Sequence, residues 1–358
     1  MPEPLDGRSA ALVGRDAEAI EVERLLREHR LVSVVGPGGV GKSALAADVV
    51  RRMLPGPWAA VAATDLAGLE TPGQVPHWMA CALRLWGRPR LAEVAGDRPR
   101  LPVVDTSEHL AEAVGDRPTL LVVDTCEHLA EECADVLVRL VEACAGMHVL
   151  VTSRVPLRTP AGYPLPPLAP EAAATLFSRA ALRFGASVTP ESELARRICT
   201  SLDGLPLAVH LAAGGLAHRT PDELLPFVSR LRHVLDLTSP VTPLPSRQRT
   251  LRASLSWSHR LCTPDERLLW ARCSVFDEPF TLRDALAVCS DEWLAASPLV
   301  TAFAGLAAQS VITPEPPPHP AAFRMPRVTR AYGRQRLELL GEEDEFERRC
   351  AAWCVGGR

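Results

Sequence analysis

Apolar and polar residues form blocks along this chain that predict strands and helices in turn. The β-branched run Leu31-Val-Ser-Val-Val is followed by a glycine-rich stretch and then by Ala-Leu-Ala-Ala-Asp-Val-Val, an apolar stretch typical of a buried helix. Two further apolar runs, at 119–124 and 148–154, have the length and composition of buried parallel strands. Strands and helices in this order predict an α/β domain, a parallel sheet with helices on both faces, over residues 1–160.

Helical periodicity replaces this pattern in residues 161–237. Helices are predicted to begin at Pro170, at Thr189 and at Thr220, where Thr-Pro-Asp-Glu is a capping box with proline at the first helical position. We therefore expect a small helical domain, a lid. The prolines within residues 238–250 indicate a linker after it.

The next segment, residues 251–345, contains helix starts and a hairpin. A second capping box begins at Thr263 and opens a helix that is expected to reach Phe276, and two more helices are predicted from Thr281 and Ser297.

The hairpin consists of two predicted wing strands, Val311-Ile-Thr and Phe323-Arg-Met, around a proline-rich tip at 314–320. Three helices and a hairpin predict a winged-helix domain. Residues 346–358 are expected to begin a further helix, at which the chain stops.

Bulk composition excludes several classes of protein. The chain has 358 residues and a formal net charge of −4, so it is not a polybasic protein that coats nucleic acid or a membrane surface. The N-terminus lacks a basic and apolar leader, and no apolar run reaches the 18 residues of a spanning helix. Ten cysteines without metal-finger spacing indicate reduced thiols, and together these features predict a cytoplasmic protein with no membrane partner.

One lysine, Lys42, stands among 39 basic residues. It lies in Gly36-Pro-Gly-Gly-Val-Gly-Lys-Ser43, between the first predicted strand and the helix after it. Glycines let backbone N–H groups surround phosphate oxygens, and the helix N-terminus adds its positive dipole end. Lysine brings a compact charge to the β and γ phosphates, and a serine hydroxyl binds Mg²⁺. The motif predicts a P-loop formed by Gly36, Pro37, Gly38, Gly39, Val40, Gly41, Lys42 and Ser43.

A P-loop nucleotidase also needs an acid for the metal, at the carboxyl end of a second strand. Asp124 ends the apolar run 119–124 and is the candidate, acting with Ser43 on Mg²⁺. The third predicted strand ends at Arg154, which either senses the γ-phosphate or is a surface arginine in a loop.

A tandem repeat complicates the choice of acid. Residues 91–109 match residues 110–128 at 14 of 19 positions. Only one copy can form the strand beside the P-loop. Pro102 would remove a ladder hydrogen bond from the first copy, so we prefer the second and place Asp105 on a surface insertion.

With these residues in place, the chain resembles the signal-transducing P-loop ATPases of the STAND/NB-ARC-like group, and within it the ATPase modules of bacterial LuxR-type and AfsR-like transcriptional regulators. Further motifs that carry the resemblance are Leu12-Val-Gly-Arg-Asp16, Leu121-Val-Val-Asp-Thr-Cys-Glu-His-Leu129, Thr152-Ser-Arg154 and Gly204-Leu-Pro-Leu-Ala208. The resemblance implies that Val13, Gly14 and Arg15 pack against adenine and ribose, and that Pro206 lies near the base of bound ADP.

Two positions depart from the family pattern. Thr125 follows Asp124 where relatives often have an acid or asparagine that orients an attacking water. Glu127 is a possible substitute for that acid; its alternative role is a carboxylate at a helix N-terminus. Pro326 stands where many relatives have a histidine that contacts ADP.

DNA binding is a second possibility that the winged helix raises. The helix from Ser297 contains no arginine or lysine, and residues 240–340 hold 12 arginines against nine acids, a weak electrostatic footprint. Arg327, Arg330 and Arg334 share one face of a later helix, opposite Val328, Tyr332 and Leu339, which is either a solvated face or a phosphate-contacting one.

Three functions remain open. The first is a Mg-ATP/ADP-binding switch in which nucleotide shifts the lid and winged helix, with slow hydrolysis if any and with Lys42, Asp124 and Glu127 as the candidate catalytic residues. The second is a DNA-binding transcriptional regulator. The third is a catalytically dead scaffold or inhibitory partner of a full-length relative. A protein partner or self-association on activation is expected for the switch.

Overall fold

The computed structural model describes residues 12–54, 56, 58–69, 71–83, 111, 114–239, 246–315 and 321–356. Contacts divide the chain into two compact units. The first comprises Met1–Gly36 and Lys42–Leu165, and the second comprises Pro37–Gly41 and Pro166–Arg358. The first copy of the tandem repeat, with Pro102 and Asp105, lies outside the described residues.

The first unit is built on a five-stranded sheet of order β2–β3–β4–β1–β5, in which every neighbouring pair is parallel. The predicted apolar runs form its interior, since β3 and β4 are buried along nearly their whole length. The strands are β1 (Leu31–Val35), β2 (Ala60–Asp65), β3 (Thr119–Asp124), β4 (Met147–Ser153) and β5 (Ala161–Pro164).

Helices cover both faces of this sheet, as the pattern predicts. Met79 and Leu137 form one buried cluster with Val149 and other strand residues. The alternate strand residues Leu120 and Leu150 are also fully buried but point to the opposite face, where the first two helices pack. The helices are α1 (Asp16–His29), α2 (Lys42–Met53), α3 (Val75–Ala82) and α4 (Ala130–Ala143).

The strand order corrects one expectation. β4 pairs with β1 along its length, from Leu31 opposite Val149 to Val35 opposite Ser153. β3 pairs with β4 instead of β1. The strand that ends in Asp124 therefore lies one strand away from β1 and not beside it, because strand order depends on long-range pairing that local sequence patterns do not encode.

The second unit begins with helices. The predicted helix start at Pro170 and the capping box at Thr220 are confirmed; Thr220 Oγ1 accepts the Glu223 N–H at 3.3 Å and the Glu223 carboxylate accepts the Thr220 N–H at 2.9 Å. The helix expected from Thr189 begins later, because Ser192 is the residue that caps it. These helices are α5 (Pro170–Leu182), α6 (Glu193–Ser201), α7 (Pro206–Gly214), α8 (Pro221–Ser229) and α9 (Leu231–Val234).

The remainder of the second unit combines helices with a small antiparallel sheet of order β6–β8–β7. The capping box at Thr263 is confirmed, but its helix ends at Cys273, three residues before Phe276. No helix in the described residues is long and apolar enough to cross a membrane. The elements are α10 (Leu251–Leu261), α11 (Pro264–Cys273), β6 (Phe280–Thr281), α12 (Leu282–Cys289), α13 (Ala296–Ala308), β7 (Thr313–Pro314), β8 (Ala322–Arg324), α14 (Arg327–Leu340) and α15 (Glu343–Gly356).

The arginine face predicted on α14 is not a solvated face. Arg330 is only 7% exposed, and its guanidinium lies 2.8 Å from the Asp277 carboxylate. Arg334 donates to Glu347 at 2.5 Å. Leu339, expected on the apolar side of the helix, is 70% exposed. The helical period was right, but charged residues of the same unit turn two of these arginines into structural groups.

Candidate functional site

The glycine loop, residues 36–43, connects β1 to α2. Gly39 and Gly41 have φ angles of 83° and 99°, a region that residues with a Cβ rarely adopt. A Cβ on Gly39 would lie 2.7 Å from Cβ of Leu207. Glycine is therefore required at position 39 both by backbone conformation and by space.

Lys42 begins α2 and turns back toward the start of the loop. Its side chain is half-buried, and Nζ donates a 2.8 Å hydrogen bond to the carbonyl oxygen of Gly36. Burial, together with the positive charge of Arg154, lowers the pKa of Lys42 to about 8. The negative charges of Glu127 and Asp124 act in the opposite direction and raise it. The Lys42 ammonium thus lies at the glycine loop, where the motif predicts a charge for phosphate.

Ser43 and Asp124 meet as the motif spacing predicts. Ser43 Oγ donates to Asp124 Oδ1 at 2.8 Å, and the Thr152 hydroxyl at the end of β4 donates to the same oxygen. Burial raises the pKa of Asp124, and the two hydroxyl donors oppose that rise. A hydroxyl and a carboxylate held together at the end of a parallel sheet are a donor set that suits Mg²⁺.

Asp65 is a site residue that the sequence analysis missed. It ends β2 directly opposite Asp124 in the strand register, and its charge contributes to the raised pKa of Asp124. Its Oδ1 accepts the N–H of Ala67 at 3.0 Å. The available signal was an aspartate at the end of Ala60-Val-Ala-Ala-Thr-Asp65, but three alanines make that run a weak strand pattern.

Arg154 and Glu127 form a buried ion pair. Nε of Arg154 lies 3.1 Å from Oε1 of Glu127, and the two side chains are 8% and 2% exposed. Arg154 is thus not a surface arginine. Glu127 is the first residue of a short 3₁₀ helix, Glu127–Leu129, that precedes α4, so it is a carboxylate at a helix N-terminus as well as the partner of Arg154. The structure brings both residues to the end of β4, close enough to act on Lys42.

Thr125 adopts an unusual backbone conformation. Its φ is 58°, which lies in the left-handed region. β-Branched residues very rarely adopt this conformation. Its N–H donates to the Thr152 hydroxyl at 3.3 Å, which fixes the chain as it leaves β3. Asparagine and aspartate adopt this conformation at lower cost, which is a physical reason for such residues at this position.

The entry motif Val13-Gly-Arg15 precedes α1 in the same unit. Gly14 has φ of 63°. Arg15 is 4% exposed and pairs with Glu18 at 2.7 Å. Its guanidinium is therefore a structural group that holds the start of α1, while Val13 remains half-buried.

Pro206 lies in the second unit, which also contains the tip of the glycine loop, residues 37–41. It begins α7, and a Cβ on Gly41 would lie 3.8 Å from its Cγ. The next residue, Leu207, donates its N–H to the Gly39 carbonyl oxygen at 3.1 Å. The structure therefore places Pro206 beside the loop tip.

A family model and curated relatives match the chain. The model described as Novel STAND NTPase 1 matches residues 6–177. An uncharacterised protein of Mycobacterium tuberculosis is 33% identical over 353 residues, which cover 93% of the chain and 83% of that protein. The chain belongs to the STAND NTPase family. A candidate HTH-type transcriptional regulator of the same organism is 30% identical over 339 residues, covering 90% of this STAND NTPase and 36% of the regulator.

Solved structures share the fold of this STAND NTPase. A Walker-type ATPase of Pyrococcus abyssi aligns with a TM-score of 0.58 at 14% identity, covering 89% of the chain and 95% of that structure. The ORC2 protein of Aeropyrum pernix, in ADPNP–ADP complexes, aligns with a TM-score of 0.52 at 15% identity, covering 96% and 95%. At these identities the likeness concerns the fold alone, and the predicted P-loop NTPase fold is confirmed.

Proposed function

We propose that this STAND NTPase is a Mg-ATP/ADP-binding switch of the NB-ARC-like kind. The observation that carries the proposal is the 2.8 Å contact between Ser43 and Asp124 beside a lysine whose pKa burial has lowered. A P-loop fold brings a phosphate-binding loop and a metal acid together in this way.

The residues present fit a nucleotide and its metal. Gly39 and Gly41 have the positive φ angles that glycine accommodates, and Lys42 adds the only lysine charge of the chain. Mg²⁺, when bound, neutralises phosphate charge, and Ser43 and Asp124 supply oxygen ligands for it. The proposed nucleotide-binding residues are Val13, Gly14, Arg15, Gly36, Pro37, Gly38, Gly39, Val40, Gly41, Lys42, Ser43, Arg154 and Pro206.

Hydrolysis by this site is proposed to be slow. Thr125 has no carboxylate to orient a water, and Glu127 is committed to the buried pair with Arg154. Asp65 is the remaining carboxylate beside Asp124. A switch needs only that ATP and ADP favour different conformations, so slow turnover is compatible with the proposal.

The output of the switch is proposed to be regulatory. The candidate transcriptional regulator named above supports this role, because the aligned region covers 90% of this chain. We propose that residues 161–237 act as a lid and residues 251–345 as a winged helix, and that a protein partner or a second copy of the chain receives the signal.

Nucleotide affinity of the wild type and of Lys42→Ala tests the proposal. Fluorescent ADP and ATP analogues are titrated in the presence of Mg²⁺, with Arg51→Ala as the matched control that removes an exposed cation from the same helix. Wild type and control are expected to bind alike, and Lys42→Ala at least tenfold more weakly. Equal binding by all three proteins would overturn the switch.

Single-turnover hydrolysis of bound ATP then separates a working switch from a dead scaffold. Phosphate release from the wild type, lost in Asp124→Asn, is the expected result. Binding without any release would support the scaffold instead.

A further inference from the structure

A five-residue connector, residues 203–207, comprises part of the turn after α6 and the first two residues of α7, and it makes specific contacts at both of its ends. Its sequence is Asp203-Gly-Leu-Pro-Leu207. All contacts described below lie within the second unit, which includes the tip of the glycine loop. The resemblance implies that Pro206 lies near the base of bound ADP, and the hydrogen bonds of the segment indicate a further role.

The end at Leu207 is bonded to the glycine loop. No side chain caps α7, whose cap residue is Leu205, and Pro206 has no N–H to donate. Leu207 is therefore the first residue of the helix with an amide to satisfy, and its acceptor is the Gly39 carbonyl oxygen at 3.1 Å. A Cβ on Gly39 would lie 2.7 Å from Cβ and 3.0 Å from Cδ2 of Leu207, so the Leu207 side chain also packs against Gly39.

The other end of the connector is bonded to α14. This helix has no cap from its own N-terminal side chains, since its cap residue is Pro326. Oδ2 of Asp203 accepts the N–H of Val328 at 2.8 Å, and the Arg327 N–H also bonds to this carboxylate. Asp203 thus supplies, from another helix pair, the cap that α14 lacks.

The middle of the connector is held rigidly. Asp203 and Gly204 have φ angles of 55° and 62°. The Gly204 carbonyl oxygen accepts the N–H of Leu168 at 3.0 Å, and a Cβ on Gly204 would lie 2.6 Å from the carbonyl oxygen of Leu168. Leu205 is buried. The segment therefore has a single defined conformation, and a change in the backbone angles of Asp203 or Gly204 would alter the position of Leu207.

We infer that the connector couples the N-terminus of α14 to the conformation of the glycine loop, with Asp203 and Leu207 as positioning residues. When Asp203 caps α14, Leu207 holds the Gly39 carbonyl oxygen and fixes the loop tip. When α14 moves, the cap is lost and the peptide at Gly39 becomes free to rotate. The consequence for bound nucleotide rests on the proposed function, whereas the coupling itself does not.

Hydrogen exchange at single-residue resolution, in the full chain without nucleotide, tests the coupling. Asp203→Ala removes the acceptor, whereas Asp203→Asn keeps an acceptor oxygen and tolerates the left-handed conformation. Thr220→Ala is the matched control, because it removes a side-chain cap from the neighbouring helix α8. The amide of Leu207 is expected to exchange at least fivefold faster in Asp203→Ala and within twofold of wild type in the other two variants.

Release of a fluorescent ADP analogue is the functional readout. Asp203→Ala is expected to release it several-fold faster than wild type, and Asp203→Asn at the wild-type rate. Rapid exchange of the Val328 amide with unchanged exchange at Leu207 would overturn the coupling, whatever the nucleotide result. If wild type bound no nucleotide, the proposed function would fail while the exchange result still decided the coupling.

Val328→Pro provides a second variant if Asp203→Ala does not fold. Proline removes the donor from the first turn of α14, where helices tolerate it, and leaves Asp203 intact. Faster exchange at Leu207 is again the expected result, and exchange at the wild-type rate contradicts the coupling.

Discussion

The Ser43 hydroxyl donates a 2.8 Å hydrogen bond to Oδ1 of Asp124, 81 positions later in the chain. The bond joins the first turn of α2 to the carboxyl end of β3. It brings together the two oxygen ligands proposed for Mg²⁺, and it is one of two hydroxyl bonds that oppose the rise in the pKa of Asp124. The charge of Asp124 is therefore expected to affect both the stability of the unit and the proposed binding of Mg²⁺.

Replacing Asp124 with asparagine is expected to stabilise the protein and to abolish the effect of Mg²⁺ on nucleotide affinity. Burial raises the pKa of Asp124 in the folded state, so its ionised form lowers stability as the pH rises through that pKa. Asp124→Asn should raise Tm at pH 7 by about 2–4 °C, the shift expected for a gain near 1 kcal/mol. Thermal unfolding from pH 4 to pH 8 measures this. Asp135→Asn is the control, because Asp135 is exposed and its replacement should leave Tm unchanged. A lower Tm for Asp124→Asn than for wild type would contradict the argument.

Thr125→Asn is expected to raise the free energy of unfolding by about 1 kcal/mol. The left-handed φ of 58° disfavours a β-branched side chain but is tolerated by asparagine and glycine. Urea unfolding of Thr125→Asn and Thr125→Gly measures the gain. Thr125→Val keeps the branched Cβ and should show no gain. If neither Asn nor Gly stabilised the protein, the left-handed φ at position 125 would carry no measurable cost for threonine.

Nucleotide affinity is expected to fall as the pH rises above about 8, by up to tenfold for each pH unit. The pKa of Lys42 is about 8, and only its protonated form attracts phosphate. Binding near pH 8.5 should therefore take up a proton, which calorimetry in buffers of different ionisation enthalpy detects. Lys42→Arg keeps its charge throughout and should show weaker, pH-independent binding. Wild-type affinity that stayed constant to pH 9.5 would contradict a lowered pKa.

Removing either partner of the Glu127–Arg154 pair is expected to cost about 3 kcal/mol of stability, because the other charge stays buried. Glu127→Ala, Arg154→Ala and the double variant form a double-mutant cycle, measured by urea unfolding. The double variant should lose less than the sum of the single losses. Strict additivity would show that the pair contributes no coupling energy.

Duplex DNA binding by this chain is expected to be weak and to lack a steep salt dependence. Arg330 is buried against Asp277 and Arg334 is paired with Glu347, so neither offers a free charge to phosphate. Fluorescence anisotropy with a labelled duplex, from 50 to 300 mM salt, measures the slope. A steep slope that Arg327→Ala reduced would restore the DNA-binding alternative.

Much of the candidate nucleotide site could be predicted from sequence because its signals are local. β1 is a continuous apolar run adjoining the glycine loop, and Lys42 and Ser43 follow within the same motif. Asp124 was recognisable because four apolar residues and an acid form a buried strand that ends at a ligand. The same reasoning placed Arg154 at the end of β4.

What the sequence did not predict depends on partners far along the chain. The position of β4 between β1 and β3 is set by pairing across the sheet. Arg330 is buried because Asp277, on a different element, lies beside it. Asp65 ends a strand of mostly alanine and valine, whose weak pattern gave no reason to single it out.

The close approach of Gly39 and Leu207 carries an evolutionary consequence. Because side-chain atoms of Leu207 occupy the space beside Gly39, a side chain cannot be gained at position 39 unless Leu207 shifts or is replaced. The two residues should therefore change together or not at all. A lineage that altered the loop tip would have to rebuild the start of α7 in the same step, which makes this pair a barrier to gradual divergence.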